Sequence, residues 1–251
     1  MRFFVLASGS AGNSTYLDFG GCGVLIDCGI SKRQLTAKLN DHGHDFNEIQ
    51  YVFLTHDHTD HNKNIHLFDP AMVYTGEGCL PGALPEHILK PYDILTFPNF
   101  TVIPLPTSHD ATSPFGFVFM CGKQKLVYVT DTGYVSSKNA SYMVNADYYI
   151  IESNHDVGML MGTNRPMYLK NRILSDYGHL SNDDSANLMC RLVGSNTKEI
   201  VLAHLSRDAN TPELALSTYQ DILASHHLDG LNFRLRAASQ TDVLEGGNDE
   251  D

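Results

Sequence analysis

The stretch Thr55-His56-Asp57-His58-Thr59-Asp60-His61 decides the fold, because it places three histidines and two aspartates in one short loop. It follows Tyr51-Val52-Phe53-Leu54, an apolar run that predicts a buried strand. Imidazoles and carboxylates concentrated at a strand end indicate a metal site. His56 and His58 share a face of an extended backbone, whereas the adjacent Asp60 and His61 diverge. The loop therefore predicts ligands for two metal ions. The alternative is an acidic surface loop whose histidines have no function.

The composition fits one globular domain without a membrane segment. A chain of 251 residues that is 42% apolar can form a sizeable core, and it has no run of about 18 apolar residues. The formal net charge of -12 argues against a broad basic surface for duplex nucleic acid. It does not exclude a nuclease, since metal ions add positive charge at the site itself. Five cysteines without a Cys-x-x-Cys pair indicate reduced thiols and a cytoplasmic location.

Apolar runs between Gly and Pro breaks predict strands and helices that alternate along the whole chain. Strands are predicted at residues 2–7, 14–19, 23–28, 50–55, 100–105, 115–121, 125–130, 148–151, 199–203 and 231–236. Helices are predicted at 32–42, 165–176, 182–193 and 212–226, with short helices and loops at 62–93. Because no linker divides the chain, we expect one α/β domain of layered sheets and helices over residues 1–244. An acidic, disordered tail is expected at 245–251.

Polar residues outside the opening loop also follow apolar strand runs. These are His109, Asp131, Glu152 and His204. Strand ends gathered at one edge of a sheet commonly assemble a site. Any one of these histidines alone would more often be structural, given the intermediate burial of His. Together with residues 55–61 they predict a single functional site.

The motif at residues 55–61 resembles the HxHxDH signature of the metallo-β-lactamase fold, and the later His109, Asp131 and His204 match the remaining ligand positions in order. Further segments look most like the YycJ/WalJ branch, which lies near tRNA 3′-processing endonucleases and other phosphodiesterases of this fold. These segments are residues 7–14, 25–29, 130–134, 152–156, 178–182 and 204–206. The resemblance implies an αββα four-layer sandwich with a di-metal site at one edge.

The resemblance also implies a ligand set. His56, His58 and His109 would hold the first metal ion, Asp60, His61 and His204 the second, and Asp131 would bridge both. Hydrolytic β-lactamases of this fold commonly have Cys at the bridging position, whereas its phosphodiesterases and glyoxalase-type thioesterases have Asp, as here. Nitrogen and oxygen ligands suit Zn or Mn, with Fe also possible. Two such ions ~3.5–4 Å apart can clamp the attacking and leaving oxygens of a phosphodiester.

The function implied is a di-metal phosphodiester hydrolase, exonuclease-like on DNA or RNA ends, that attacks with a hydroxide bridging the metals. Asp60 would orient this hydroxide and act as general base. His179, in the sequence Gly-His-Leu-Ser at 178–181, would protonate the leaving group or, alternatively, only pack at a helix start. The alternative substrates are a small phosphodiester, a thioester or a lactone. A non-catalytic regulatory protein is the third interpretation, and a homo-oligomer is compatible with all three.

Neighbouring carboxylates are expected to orient the histidines through their second ring nitrogen. Either Glu152 or Asp156 would do so, and Asp27 at the end of a predicted strand would lie close behind the ligands. His155 would contact substrate or be an ordinary turn residue.

Two segments offer hydrogen-bond donors or positive charge to a phosphate. Ser8, Ser10 and Asn13 in the first loop would bind a phosphate, or would simply form a Gly-Ser turn. Residues 157–172, which include Arg165, Lys170 and Arg172, would receive a backbone phosphate or form a solvated helix face.

Overall fold

The structure is a computed structural model that describes residues 1–248. Its first sheet contains β1 (Arg2–Ala7), β2 (Ser14–Asp18), β3 (Gly23–Ile26), β4 (Ile49–Leu54), β5 (Val73–Thr75) and β13 (Leu244–Gly247). The strand order is β13-β1-β2-β3-β4-β5. β1, β2 and β3 form an antiparallel meander, and β4 and β5 run parallel to β3. The parallel pairing brings the carboxyl ends of β3 and β4 to one edge, so Asp27 and the 55–61 loop are neighbours.

The second sheet contains β6 (Leu95–Thr96), β7 (Thr101–Pro106), β8 (Phe115–Cys121), β9 (Gln124–Val129), β10 (Tyr148–Glu152), β11 (Glu199–Ala203) and β12 (Arg234–Ala237). The strand order is β12-β11-β10-β9-β8-β7-β6. The sheet is antiparallel from β6 to β9 and parallel from β9 to β12. Asp131, Glu152 and His204 therefore lie at the carboxyl ends of three adjacent parallel strands.

Helices cover the outer face of each sheet. They are α1 (Lys32–Asp41), α2 (Thr59–Asn62), α3 (Ser137–Met143), α4 (Val157–Gly162), α5 (Met167–Ile173), α6 (Asn182–Leu192) and α7 (Pro212–Ser225). Short 3₁₀ helices occur at Phe46–Glu48, Ile65–Leu67, Pro70–Met72 and Pro85–His87. Ser31 begins α1 with a capping box, in which its side chain and that of Gln34 each accept the other's backbone N–H. Among residues 1–248, no helix is both long and apolar enough to cross a bilayer.

Successive side chains along each strand point to opposite faces of the sheet, and this alternation divides the core into layers. Phe3 packs between the sheets, while its neighbour Phe4 faces the α1 side. In the second sheet Tyr148 faces the first sheet and Tyr149 faces α6 and α7. Because successive side chains on a strand point to opposite faces, each buried strand contributes to two cores. The result is the αββα order expected from the resemblance.

The predicted strands and long helices occur within a few residues of their expected bounds. The predicted helix at 165–176 is shorter, since Pro166 precedes its first turn and it ends at Ile173. α3 and α4 were not predicted from the sequence. Three short strands were also missed: β6, β13 and, within the region assigned only helices and loops, β5.

The prediction that a disordered tail begins at residue 245 is wrong for residues 245–247, which belong to β13. This strand pairs antiparallel with β1, and Glu245 forms an ion pair of 2.6 Å with Arg2. Gly246 packs against Phe3, whose ring would lie 2.1 Å from a Cβ at this position. A strand with so few apolar residues is held by its partner strand rather than by its own pattern. Residues 249–251 of the expected tail lie outside the described residues.

Candidate metal centre

The loop after β4 presents its histidines inward and Asp57 outward. His56 is 1% exposed, and His61 in α2 is fully buried. Asp57 instead accepts hydrogen bonds from the Thr112 backbone N–H at 3.0 Å and the Thr112 hydroxyl at 2.7 Å. Asp57 therefore connects the 55–61 loop to the loop that carries His109.

Four overlapping groups of candidate ligand atoms lie around this loop and the strand ends that face it, and two of these groups contain the residues predicted to hold the two ions. His56, His58 and His109 form the first, and Asp60, His61 and His204 form the second; within each group the ligand atoms lie within 4.8 Å of one another. In the first group, His109 Nε2 is 3.3 Å from His58 Nδ1. In the second, Asp60 Oδ2 is 3.6 Å from His61 Nε2 and 3.8 Å from His204 Nε2. These are the two sets that the resemblance implied.

Asp131 lies between the two groups. Its Oδ2 is 3.3 Å from His61 Nε2, and its Oδ1 is 3.4 Å from His204 Nδ1 and 3.8 Å from His109 Nε2. The residue is 3% exposed. One buried carboxylate thus contacts both groups, which is the geometry that a bridging ligand requires.

Three residues at strand ends of the site have an unusual backbone conformation. Asp27, Asp131 and His204 have φ of 61°, 53° and 57°, in the left-handed region that non-glycine residues rarely occupy. Local hydrogen bonds hold two of these turns: the Thr55 backbone N–H donates to Asp27 at 2.8 Å, and the His204 N–H donates to Ser8 Oγ at 2.7 Å. Backbone strain of this kind persists where the surroundings determine it, and it concentrates at functional sites.

Asp27 and Thr55 orient the histidines of the first sheet. His61 Nδ1 donates to Asp27 Oδ2 at 2.7 Å, which leaves Nε2 for the centre. The Thr55 hydroxyl lies 2.9 Å from Asp27 Oδ2 and 2.9 Å from His56 Nδ1. Asp27 therefore acts as the sequence predicted. Thr55 was missed, since a threonine at the end of a strand gives no signal of this role.

Glu152 orients two histidines of the second sheet. Its Oε1 lies 2.8 Å from His179 Nδ1 and 3.0 Å from His204 Nδ1, and its side chain is fully buried. Of the two carboxylates considered, Glu152 is therefore the one that orients histidines. Asp156 instead begins α4, where its side chain accepts the Met159 N–H.

The electrostatics keep the central carboxylates ionised. Burial raises the pKa of Asp131, but the charges of His204 and His61 outweigh it and hold that pKa well below its usual range. Burial likewise opposes ionisation of Glu152, yet His179 and His204 lower its pKa to about 2. Burial and the nearby charge of His61 hold the pKa of His56 well below normal, so its imidazole is neutral and has a free lone pair.

Unpaired buried atoms show that a divalent ion fits these residues. His56 Nε2, Asp131 Oδ2 and His204 Nε2 are buried, and none has a hydrogen-bond partner among residues 1–248. Buried polar atoms without a partner are costly, and all three belong to the ligand groups. Imidazole nitrogens with carboxylate oxygens suit Zn, Mn or Fe. The chain therefore matches the chemistry of a metal centre.

Other residues considered from the sequence lie in different positions. His155 is 1% exposed, pairs through its backbone with Ser181, and does not line the cavity beside His179. Lys170 is buried and donates to the carbonyls of Met161 and Thr163. Arg172 forms an ion pair with Asp110.

The polar residues of the loop between β1 and β2 have different roles, which the sequence did not reveal. Ser8 holds the His204 backbone, and Asn13 Nδ2 lies 3.2 Å from Asp60 Oδ2 and 2.9 Å from His61 Nε2. Ser10 lines a cavity beside His179 and His204. Of these three residues, only Ser10 remains available to a phosphate.

Comparison with known proteins decides the family. Residues 23–205 match the beta-lactamase superfamily domain. The chain is 35% identical to the exodeoxyribonuclease WalJ of Streptococcus pneumoniae over 249 residues, 93% of each chain. It is 36% identical to the exodeoxyribonuclease YycJ of Bacillus anthracis over 235 residues, 89% of each. The chain belongs to the beta-lactamase superfamily and, within it, to the WalJ/YycJ family.

A solved structure shares the fold of this chain. The metallo-beta-lactamase fold protein YhfI of Bacillus subtilis superposes with a TM-score of 0.71 at 18% identity, covering 98% of this chain and 99% of YhfI. The family and fold class predicted from the sequence are both confirmed. At this identity the likeness to YhfI shows the fold alone.

Proposed function

We propose that this chain is a di-metal phosphodiester hydrolase that degrades DNA from an end. The observation that carries the proposal is the pair of ligand groups joined by Asp131, with His179 held beside them by Glu152. Two relatives that cover most of the chain are exodeoxyribonucleases, which supports DNA as the substrate.

The ligand assignment is part of the proposal. His56, His58 and His109 would hold one divalent ion, Asp60, His61 and His204 would hold the other, and Asp131 would serve both. Two such ions supply Lewis acidity and offset charge on the phosphate oxygens. Zn and Mn suit this donor set, with Fe as a further candidate.

Asp60 is proposed to position the attacking water and take its proton. Asn13 Nδ2 lies 3.2 Å from Asp60 Oδ2. Burial opposes ionisation of Asp60, but the neighbouring imidazoles of His204 and His61 outweigh it and lower the pKa of this carboxyl. An ionised carboxylate beside the reacting phosphate can accept a proton at neutral pH.

His179 is proposed to protonate the leaving oxygen. Its Nδ1 faces Glu152 at 2.8 Å, so the ring is fixed and the opposite nitrogen is free for the substrate. Its side chain is 19% exposed, in contrast to the buried ligands, and it lines the cavity beside His204. A fixed, accessible imidazole next to an anionic carboxylate is suited to proton donation.

The test is a panel of labelled single- and double-stranded oligonucleotides with each end blocked in turn, after elemental analysis of the purified protein. Stepwise shortening from one end that is absent in Asp131→Ala supports the proposal. Turnover of a thioester but not of bis-p-nitrophenyl phosphate would overturn it and favour the small-molecule hydrolase. Cleavage of bis-p-nitrophenyl phosphate without any oligonucleotide cleavage would restrict the substrate to a small phosphodiester.

A further inference from the structure

His109 is oriented by the backbone carbonyl of the residue that precedes His179. The contact joins His109 Nδ1 to the Gly178 carbonyl oxygen at 3.1 Å, and it is buried. Because a carbonyl oxygen can only accept, Nδ1 donates its proton, and Nε2 keeps the lone pair that a metal ligand needs. This Nε2 lies 3.3 Å from His58 Nδ1, within the first ligand group. The turn that presents His179 therefore also fixes the ring of a candidate ligand.

Gly178 lies where the backbone leaves no room for a side chain. Residues 173–179, which we call the 173–179 turn, follow directly on the last turn of α5, and the His179 N–H closes the turn by donating to the Ile173 carbonyl at 3.0 Å. A Cβ on Gly178 would lie 2.1 Å from the Ile173 carbonyl oxygen and 2.3 Å from that of Arg172. Both obstacles are backbone atoms, so any side chain at this position displaces the turn.

An ion pair joins the residue after His109 to the end of α5. Arg172, which immediately precedes the 173–179 turn, pairs with Asp110. Asp110 Oδ1 in turn lies 3.7 Å from His109 Nε2. Both partners of the ion pair are partly exposed, so the pair contributes less than the buried contact between His109 and Gly178.

The residue before His109 is held by the same region. The Ser108 carbonyl accepts the N–H of Gly133 at 2.8 Å. Gly133 in turn packs closely against the 173–179 turn, since a Cβ on it would lie 2.3 Å from the Asp176 carbonyl oxygen. The residues on both sides of His109 are therefore fixed relative to the turn that presents His179.

We propose that the 173–179 turn is a positioning element that holds His109 and His179 in a fixed relation, with Gly178 as its central residue. The Gly178 carbonyl sets the ring of His109, and the missing side chain at 178 lets His179 lie 2.8 Å from Glu152. Displacing the turn therefore lowers the affinity for one of the two ions and misplaces the proton donor at the same time. This inference rests on the proposed function, in which His109 is a ligand and His179 the donor.

The first test is Gly178→Ala, with the affinities for the two ions measured by competition with a chelator. One affinity should fall by about 10–100-fold, the usual effect of losing a group that orients a metal ligand. The other should change less, because the carboxylates that hold the second ligand group, Asp27 and Glu152, lie outside the turn. The kcat at saturating metal should fall as well, because His179 has moved.

A second measurement needs neither metal nor DNA. In the metal-free protein labelled with ¹⁵N-histidine, the His109 Nδ1–H should give a slowly exchanging signal, because this proton is buried and hydrogen-bonded to Gly178. His109→Ala assigns the signal by removing it. In Gly178→Ala the same proton should exchange rapidly.

Arg172 gives a milder variant that leaves the backbone of the turn unchanged. Arg172→Ala should lower the same affinity as Gly178→Ala, by up to about fivefold, as expected for an exposed ion pair. Arg172→Lys, which keeps the charge beside Asp110, should recover part of this loss.

Two matched controls make the same kinds of change away from the site. A Cβ on Gly23 would lie 2.5 Å from the Glu48 carbonyl oxygen, at the end of β3 opposite to Asp27. Gly23→Ala should therefore lower the Tm without changing either metal affinity. Arg2→Ala removes the ion pair with Glu245 and should also leave both affinities unchanged.

Unchanged affinities and an unchanged His109 signal in Gly178→Ala would overturn the proposal. So would equal losses of affinity in Gly23→Ala, because the cause would then be general destabilisation. If Gly178→Ala does not fold, an Arg172→Ala variant that behaves like Arg2→Ala overturns it. A wild type that shortens no DNA refutes the proposed function instead, and the affinities and the His109 signal still decide the role of the turn.

Discussion

The two sheets supply the site in different ways. The first sheet concentrates its contribution in one loop after β4, which presents His56, His58, Asp60 and His61. The second sheet contributes single residues, His109 after β7 and one residue after each of β9, β10 and β11, three adjacent parallel strands. A dense local cluster is visible in the sequence, whereas dispersed residues become a site only through strand order.

In both sheets a buried carboxylate contacts one ring nitrogen of a histidine in the ligand groups. Asp27 of the first sheet contacts His61 Nδ1 at 2.7 Å, and Glu152 of the second contacts His204 Nδ1 at 3.0 Å. Both carboxylates are fully buried. Glu152 differs because it also contacts His179, so the second sheet couples the metal centre to the proposed proton donor. The difference predicts which variants affect metal content and which affect turnover.

The largest effect is expected from Asp131→Ala, which removes the residue that contacts both ligand groups. Activity should fall by more than the roughly 10²–10⁴-fold that general acid–base catalysis contributes, because the metal content also falls. Elemental analysis and turnover of a labelled oligonucleotide measure the two quantities. Full metal content in this variant would contradict the bridging role.

His179→Ala is expected to lower turnover by about 10²–10⁴-fold while the metal content stays nearly unchanged. The physical reason is that Nδ1 is engaged by Glu152 and neither nitrogen is a proposed ligand. His66→Ala, at an exposed histidine, is the matched control. Unchanged turnover would remove His179 from the mechanism.

Asp60→Asn is expected to reduce activity more than metal content. The amide keeps an oxygen that can bind a cation but cannot accept the proton of the attacking water, a contribution of at least about 10²-fold. Comparing the metal-to-protein ratio with kcat in the same preparation separates the two roles. Equal losses of both would assign Asp60 to metal binding alone.

The variants Glu152→Gln and Asp27→Asn compare the two sheets directly. Each should lower metal affinity or activity by about 10–100-fold, because replacing a group that orients a metal ligand usually has an effect of this size. Asp27→Asn should act mainly through metal affinity, because Asp27 holds a ligand but not His179. Glu152→Gln should lower both metal affinity and the kcat of the metal-saturated enzyme. Titration with a metal chelator and kcat at saturating metal distinguish these outcomes. If excess metal fully restored the kcat of Glu152→Gln, the proposed coupling between the metal centre and His179 would be contradicted.

Much of the site could be predicted from the sequence alone. The spacing of residues 55–61 and the polar residues after each apolar run are local features, and local geometry follows from local pattern. The same holds for α1, whose Ser31 cap and buried Leu35 and Leu39 agree with the expected helix.

Tertiary structure decided what depends on contacts distant in the sequence. The sequence could not choose between Glu152 and Asp156, since the contact of Glu152 with His204 spans 52 residues and exists because β10 lies beside β11. β13 forms through pairing with β1, across nearly the whole chain. The cavity beside His179 likewise arises where residues near 10, 165 and 206 meet. The sequence alone determined the types of the candidate ligands and their positions at strand ends. The order of the strands determined which side chains face one another. The sequence could not give this order, because pairing between distant segments has no local signature.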